Sequence, residues 1–148
     1  GAPHSSPSLP SERVLPMALA EEAAAAAVAA CAKDGYQVSA AVADRAGNLR
    51  VLLRGDGAGP HTVDSSGRKA YTAASLKAPT SQYAEIAASG PAAAGLRDID
   101  GLLLLGGGLP IEAGGEVVGA IGVAGAPGAD KDDACARAGI DRIRQRLK

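Results

Sequence analysis

Residues 101–124 read GLLLLGGGLPIEAGGEVVGAIGVA, and the fold class is argued from them. Two apolar runs, Leu109–Glu112 and Glu116–Ala124, flank Ala113-Gly114-Gly115. Adjacent glycines between strand-like runs mark a hairpin, because the turns that match strand twist need left-handed backbone at their centre. Ahead of this hairpin, Gly101–Leu105 is a continuous apolar run, the pattern of a central strand buried on both faces. Strands joined by connections this short run antiparallel, since a parallel pair needs a long crossover.

On the N-terminal side, Val38–Asp44 and Leu49–Arg54 flank Arg45-Ala46-Gly47-Asn48 and form a second hairpin. The segment Gly55-Asp56-Gly57-Ala58-Gly59-Pro60 breaks that pattern. A helix follows from about His61 to Lys77, ended by Ala78-Pro79 because the residue before proline avoids the helical region. Thr80 is placed to cap a short helix that runs to about Ala88. The first helix spans residues 17–34. It is mostly alanine, with Glu21 and Glu22 near its start, Lys33 near its end and Gly35 as its stop. The last helix opens at Asp130 and runs to about Arg146, acidic at its start and basic at its end, which suits the helix dipole. The order α-β-β-α-α-β-β-β-α predicts an α+β domain over residues 17–148, a five-stranded antiparallel sheet covered by helices. Residues 1–16, rich in Pro and Ser, are expected to be a disordered N-terminal arm, left by removal of a signal peptide or by an expression tag.

Composition narrows the function. The net charge is −1, with no Trp, no Phe and three Tyr, so neither the basic field nor the stacking platform of a nucleic-acid binder is expected. No run approaches the roughly 18 apolar residues of a membrane span. A core without large aromatics gives little burial per residue, which favours association with further copies. Gly106-Gly107-Gly108 runs into Leu-Pro-Ile, so no GxGxxG forms, and no P-loop or GxSxG elbow is present. Two distant cysteines, with His4 in the arm, do not make a zinc site.

Four features remain as candidates for chemistry. His61, the one histidine outside the arm, follows a Gly/Pro loop and starts a helix, where an imidazole serves as an iron ligand or an acid–base, or simply as an exposed helix-start residue. His61, Ser65, Arg68, Lys69 and Thr72 share one helix face, with Tyr71 beside them. They form either the wall of a binding site or a solvated charged stripe. Gly106, Gly107 and Gly108 offer backbone N–H groups to an anion, or else mark close packing. Gly119 and Gly122 fit the packing reading better. Asp98/Asp100 and Asp130/Asp133 are acidic pairs; capping of the last helix is preferred for Asp130 over weak iron binding.

Three segments occur in a telling order: Lys69-Ala70-Tyr71-Thr72-Ala73-Ala74, Leu105-Gly106-Gly107-Gly108-Leu109-Pro110, and the stretch from Gly114 to Val123. With them, residues 17–147 resemble the GlcG/HbpS-like haem-binding family (haem-degrading proteins, also known as DUF336). The resemblance implies a profilin-like fold with a five-stranded antiparallel sheet, and homo-oligomers from dimers up to octamers. It also implies haem as cofactor: characterised relatives include extracellular haem-binding and haem-degrading proteins and a haem-binding domain appended to corrinoid adenosyltransferases. One relative is a lyase on a small aromatic hydroxylamino acid, so the family alone does not fix the activity. Many relatives carry D-x-A-x-x-K before the KAYTA helix; this chain has His61-Thr62-Val63-Asp64-Ser65-Ser66-Gly67-Arg68-Lys69, and Lys69 aligns.

Three readings follow. In the first, haem sits in an apolar groove between subunits, with His61 on the iron, Tyr71 or Thr72 nearby, and Arg68 and Lys69 toward the propionates. In the second, a lyase or isomerase uses Lys69 to orient a carboxylate, the Gly106–Gly108 backbone to hold a developing charge, and His61 to move protons. The third is an assembly protein without a ligand. Cys31 and Cys135 lie on the first and last helices. Side-by-side packing of those helices allows a disulfide, which would favour a periplasmic or extracellular location over a cytoplasmic one.

Overall fold

The computed structural model describes residues 6–148; the first five residues, including His4, lie outside the described part. The main elements are α1 (Met17–Lys33), β1 (Ser39–Asp44), β2 (Leu49–Arg54), α2 (His61–Leu76), α3 (Thr80–Ser89), the single turn α4 (Pro91–Ala94), β3 (Gly108–Ala113), β4 (Glu116–Ala124) and α5 (Ala129–Ile143). Short 3-10 turns follow α4 and α5. Both hairpins form as read, and β4 pairs with β1, giving an antiparallel sheet ordered β2-β1-β4-β3. At the second hairpin Gly114 and Gly115 have φ of 58° and 78°, the left-handed geometry only glycine takes easily.

The sheet has four strands, not five. Gly101–Leu105 is not a strand. Gly101 and Gly107 turn the chain with φ of 88° and 123°, and side chains of α2 take the backbone groups a neighbouring strand would have used. Thr72 Oγ1 accepts the Leu103 N–H at 2.9 Å, and the Arg68 guanidinium donates to the Leu102 carbonyl at 2.8 Å. Leu102 and Leu104 are buried against Ala87, while Leu105 is 48% exposed. Two of the four leucines in the row, Leu102 and Leu104, thus serve a small satellite core with Ala87 of α3.

Strand alternation divides the layers. Ala40, Val42, Ile121 and Val123 point into the main core with α1 and α5, whereas Ala41, Ala43 and Ala120 meet α2 on the other face. Small residues let these layers approach. A Cβ on Gly122 would lie 2.2 Å from the Ser66 carbonyl oxygen of α2, and one on Gly139 of α5 would lie 2.6 Å from the Ala23 carbonyl of α1. One turn before Gly139, Cys135 is bonded to Cys31, with Cα atoms 5.6 Å apart.

The end of the N-terminal segment packs on the domain. Leu15 is buried, its N–H bonds to the Val118 carbonyl, and Arg13 pairs with Glu116 at 3.0 Å. Among the described residues no helix is long and apolar enough to cross a membrane.

Candidate functional site

Helix α2 separates the residues that the sequence groups together. Its start has no side-chain cap: Pro60 stands at the N-cap with helical backbone, and the Gly59 carbonyl accepts the Thr62 N–H at 3.0 Å. From His61 onward the exposed positions recur at helical spacing: His61, Asp64, Arg68 and Tyr71 look outward. Thr62, Ser66, Lys69, Ala70, Thr72 and Ala73 look inward. The expected common wall of His61, Ser65, Arg68, Lys69 and Thr72 is therefore two surfaces, one on each side of the helix.

The outer surface is open. Arg68, whose side chain is 41% exposed, keeps its second terminal nitrogen 3.9 Å from Asp64 Oδ2. The Tyr71 ring lies against two glycines: a Cβ on Gly47 or on Gly101 would come to 3.0 Å from its carbons. Leu49, two residues after Gly47, and Ile99, two before Gly101, are both more than half exposed. Ser65 is turned back on the helix, its hydroxyl donating to the His61 carbonyl at 3.0 Å.

The inner surface is closed and internally satisfied. The Lys69 ammonium, 1% exposed, donates to the Val123 carbonyl at 2.9 Å and to Asp132 Oδ2 at 3.0 Å. Lys69 is thus no solvated surface residue. Asp132 Oδ1 accepts the Ala126 N–H at 3.0 Å. Burial pushes the Asp132 carboxyl above the usual carboxylate range, a shift that Lys69 opposes. Asp133 is raised by burial as well, against the Gly107 N–H that its carboxylate accepts at 2.8 Å. Thr80 Oγ1 accepts the Gly108 N–H at 2.9 Å and donates to the Leu105 carbonyl at 2.6 Å. Two of the three N–H groups in the Gly106–Gly108 run are therefore taken by the protein. The glycines are explained by proximity: a Cβ on Gly107 would lie 2.8 Å from Lys69 Nζ, and one on Gly108 2.5 Å from the Lys69 carbonyl oxygen.

Thr72 likewise works inward, bonding to Arg68 O and Leu103 N–H. Asp130 does not cap α5, whose N-cap is Gly128 with no side-chain bond. Among the described residues no three His, Cys, Asp or Glu side chains gather as a metal cluster. Thr80, expected to cap the short helix, is instead the first residue of α3, whose N-cap is Pro79 with no side-chain bond, because its hydroxyl is taken by Leu105 and Gly108. Asp132 is the residue that sequence reading missed. Asp132 looked like one more dipole-stabilising acid, and nothing in local spacing ties it to a lysine 63 positions away.

A family model described as the haem-degrading protein HbpS-like family matches residues 15–141. The chain belongs to the HbpS-like family. A solved double mutant of HbpS from Streptomyces reticuli is 50% identical, with a TM-score of 0.85 over 95% of this chain and 96% of that one. GlcG of Escherichia coli K12 is 36% identical over 109 residues, which is 71% of this chain and 80% of GlcG. A complex of PduOC with haem shares the fold at 23% identity, with a TM-score of 0.82 over 88% of this chain and 95% of that one. In this HbpS-like chain the segment Lys69–Ala74 thus places Lys69 and Thr72 in the interior and Tyr71 at the surface.

Proposed function

We propose that this chain binds haem on the outer face of α2, His61 supplying the iron ligand and Arg68 facing a propionate, in an assembly of two or more copies. The observation that carries the reading is the outer face itself. An imidazole, a guanidinium and a phenol stand on one side of one helix, beside the exposed apolar side chains of Leu49 and Ile99. These groups fit an iron porphyrin: imidazole suits iron, guanidinium suits carboxylate, and apolar surface suits the macrocycle. His61 and Arg68 are about 10 Å apart along the helix axis, at 1.5 Å per residue. Bound there, haem would bring coordination and redox chemistry. A second copy laid on this open face would cover it, and the description of the family as haem-degrading supports the same ligand. Lys69, Thr72 and Gly106–Gly108 support the site from behind and do not touch the ligand. The lyase reading loses force, because Lys69 and two of the three glycine N–H groups already have partners. The Cys31–Cys135 disulfide supports a periplasmic or extracellular location, since cytosolic thiols stay reduced.

Haemin titration of the purified protein tests the proposal. A Soret shift that saturates at a fixed haem-to-subunit ratio is expected. His61→Ala should weaken binding at least tenfold, about 1.4 kcal/mol. Light scattering should give a mass above the 14.5 kDa of one chain. A non-saturating rise in absorbance, unchanged by His61→Ala, would sink the haem reading, and a monomeric mass would sink the assembly.

A further inference from the structure

The loop before α2 carries Gly55, Gly57 and Gly59, and the backbone accounts for the first two. Gly57 has φ of +83°, where a side chain is strained, and a Cβ on Gly55 would lie 2.6 Å from the Val38 carbonyl oxygen. Gly59 is different. It is not among the residues with positive φ. The three nearest atoms that a Cβ on it would meet all belong to one side chain: His61 Cε1 at 2.8 Å, Nδ1 at 2.9 Å and Nε2 at 3.9 Å. Space for the imidazole is thus the steric reason for glycine at this position.

We infer that Gly59 is a positioning residue whose missing side chain seats the His61 imidazole, Nδ1–Cε1 edge inward, and leaves Nε2 as the outward nitrogen. The seat is rigid. The Gly59 carbonyl accepts the Thr62 N–H at 3.0 Å and the Thr62 hydroxyl at 2.6 Å. That hydroxyl also lies 2.8 Å from the buried Ser39 Oγ. The preceding carbonyl, that of Ala58, accepts two guanidinium bonds from Arg54, at 3.1 and 2.9 Å. The ring therefore rests on backbone tied to β1, β2 and the first turn of α2, while its far side is exposed. A ligand held in one orientation loses less freedom on coordination than a freely rotating one, so the seat raises affinity without touching the ligand. The inference rests on His61 as the haem ligand and adds how that ligand is aimed and through which nitrogen.

Gly59→Ala is the test, because alanine suits the backbone and adds only the atom that meets the ring. In ligand-free protein labelled at histidine, the His61 Cε1–H resonance should move. In the same variant haemin should bind at least tenfold more weakly, with an altered Soret position. Gly90→Ala is the control, since a Cβ there meets nothing within 4 Å; it should change neither. If Gly59→Ala lowers the melting temperature, that loss should vanish in a His61→Ala background, where the clash partner is gone. An unmoved resonance, or a melting loss that persists without the imidazole, would overturn the seat. A moved ring with unchanged haemin affinity would overturn the positioning role. If the unmodified protein takes up no haemin, the haem reading fails and the role of Nε2 with it; the seat is then decided by the resonance and the double variant.

Discussion

Lys69 Nζ lies 3.0 Å from Asp132 Oδ2, and the two side chains are 1% and 6% exposed. The pair joins the middle of α2 to the first turn of α5 across the end of β4, where Val123 O takes a second bond from the same ammonium. A buried pair of this kind is no simple gain in stability, because both charges are drawn out of water. The raised Asp132 carboxyl reflects that cost, burial outweighing the pull of Lys69. Removing one partner is worse, since it strands the other.

Asp132→Asn should therefore lower the unfolding free energy by about 3–5 kcal/mol, the range for a broken buried pair. Replacing both residues, as in Lys69→Met with Asp132→Leu, should recover most of that loss. Urea unfolding of the two variants checks this, and a double variant as unstable as Asp132→Asn would count against the pair as the cause. Lys69→Ala should harm folding first and ligand binding only as a consequence, the opposite of the behaviour of a solvated lysine.

The Cys31–Cys135 bond closes a loop with a sequence separation of 104. On the chain-entropy model, a loop of roughly 100 residues gains about 4.7 kcal/mol from such a bond. The alanine-rich contact between α1 and α5 gives few large side chains to hold the helices otherwise. Reduction, or Cys31→Ser with Cys135→Ser, should cost about 2–5 kcal/mol. Denaturation with and without reductant measures it, and equal midpoints would remove the disulfide from the account of stability.

Two glycines close together in the fold should respond in opposite ways. Gly67 lies within α2, and a Cβ there would meet nothing within 4 Å. Gly67→Ala should raise stability by about 0.8–1 kcal/mol, the difference in helix propensity. Gly122 faces the same helix from β4, with Ser66 O and Ala70 N at 2.2 and 2.5 Å from the added Cβ. Gly122→Ala should cost about 1–3 kcal/mol through overpacking. Thermal unfolding of both variants decides, and a shift of the same sign in each would contradict this picture of α2 on the sheet.

The hairpins, α1, α2, the last helix and the disulfide were legible because each rests on local chemistry: glycine pairs at turns, alanine runs, acids at a helix start, cysteines on helices with small neighbours. The fifth strand was not. Leu102–Leu105 has the composition of a buried strand, but Thr72 and Arg68 take its backbone groups, and no pattern within the run shows that. The site was half legible for the same reason. Helical spacing brought His61, Arg68 and Lys69 together, yet residues at i, i+7 and i+8 fall on both sides of a helix that is packed on one face only. Which side is packed depends on β4, whose Gly122 makes the close approach.

Glu116 gives the acid side of the stability profile. Its carboxylate is held by Arg45 first and then by Arg13, which bonds to it through both guanidinium and backbone N–H, and together they lower it from 4.5 to about 2. A lowered carboxylate contributes stability above its unfolded value, and that contribution is lost as pH falls from about 4.5 through about 2. Asp132 and Asp133 act in the opposite sense. Their raised carboxyls bind protons more tightly in the folded state, so stability gains as pH falls through their folded values toward 3.8. Above pH 3.8 the two aspartates should soften the acid response; between pH 4 and 2 the loss from Glu116 should dominate. Glu116→Gln should therefore flatten the profile below pH 4 and leave the neutral-pH response to acid unchanged. The same substitution should loosen residues 13–15, because Arg13 loses its carboxylate and Arg45 one of its anchors for the arm. Unfolding free energy measured from pH 7 to pH 2, with amide exchange at Leu15 and its neighbours, tests both parts. An acid limb as steep in Glu116→Gln as in the unmodified protein would show that the three-residue cluster does not carry the acid sensitivity.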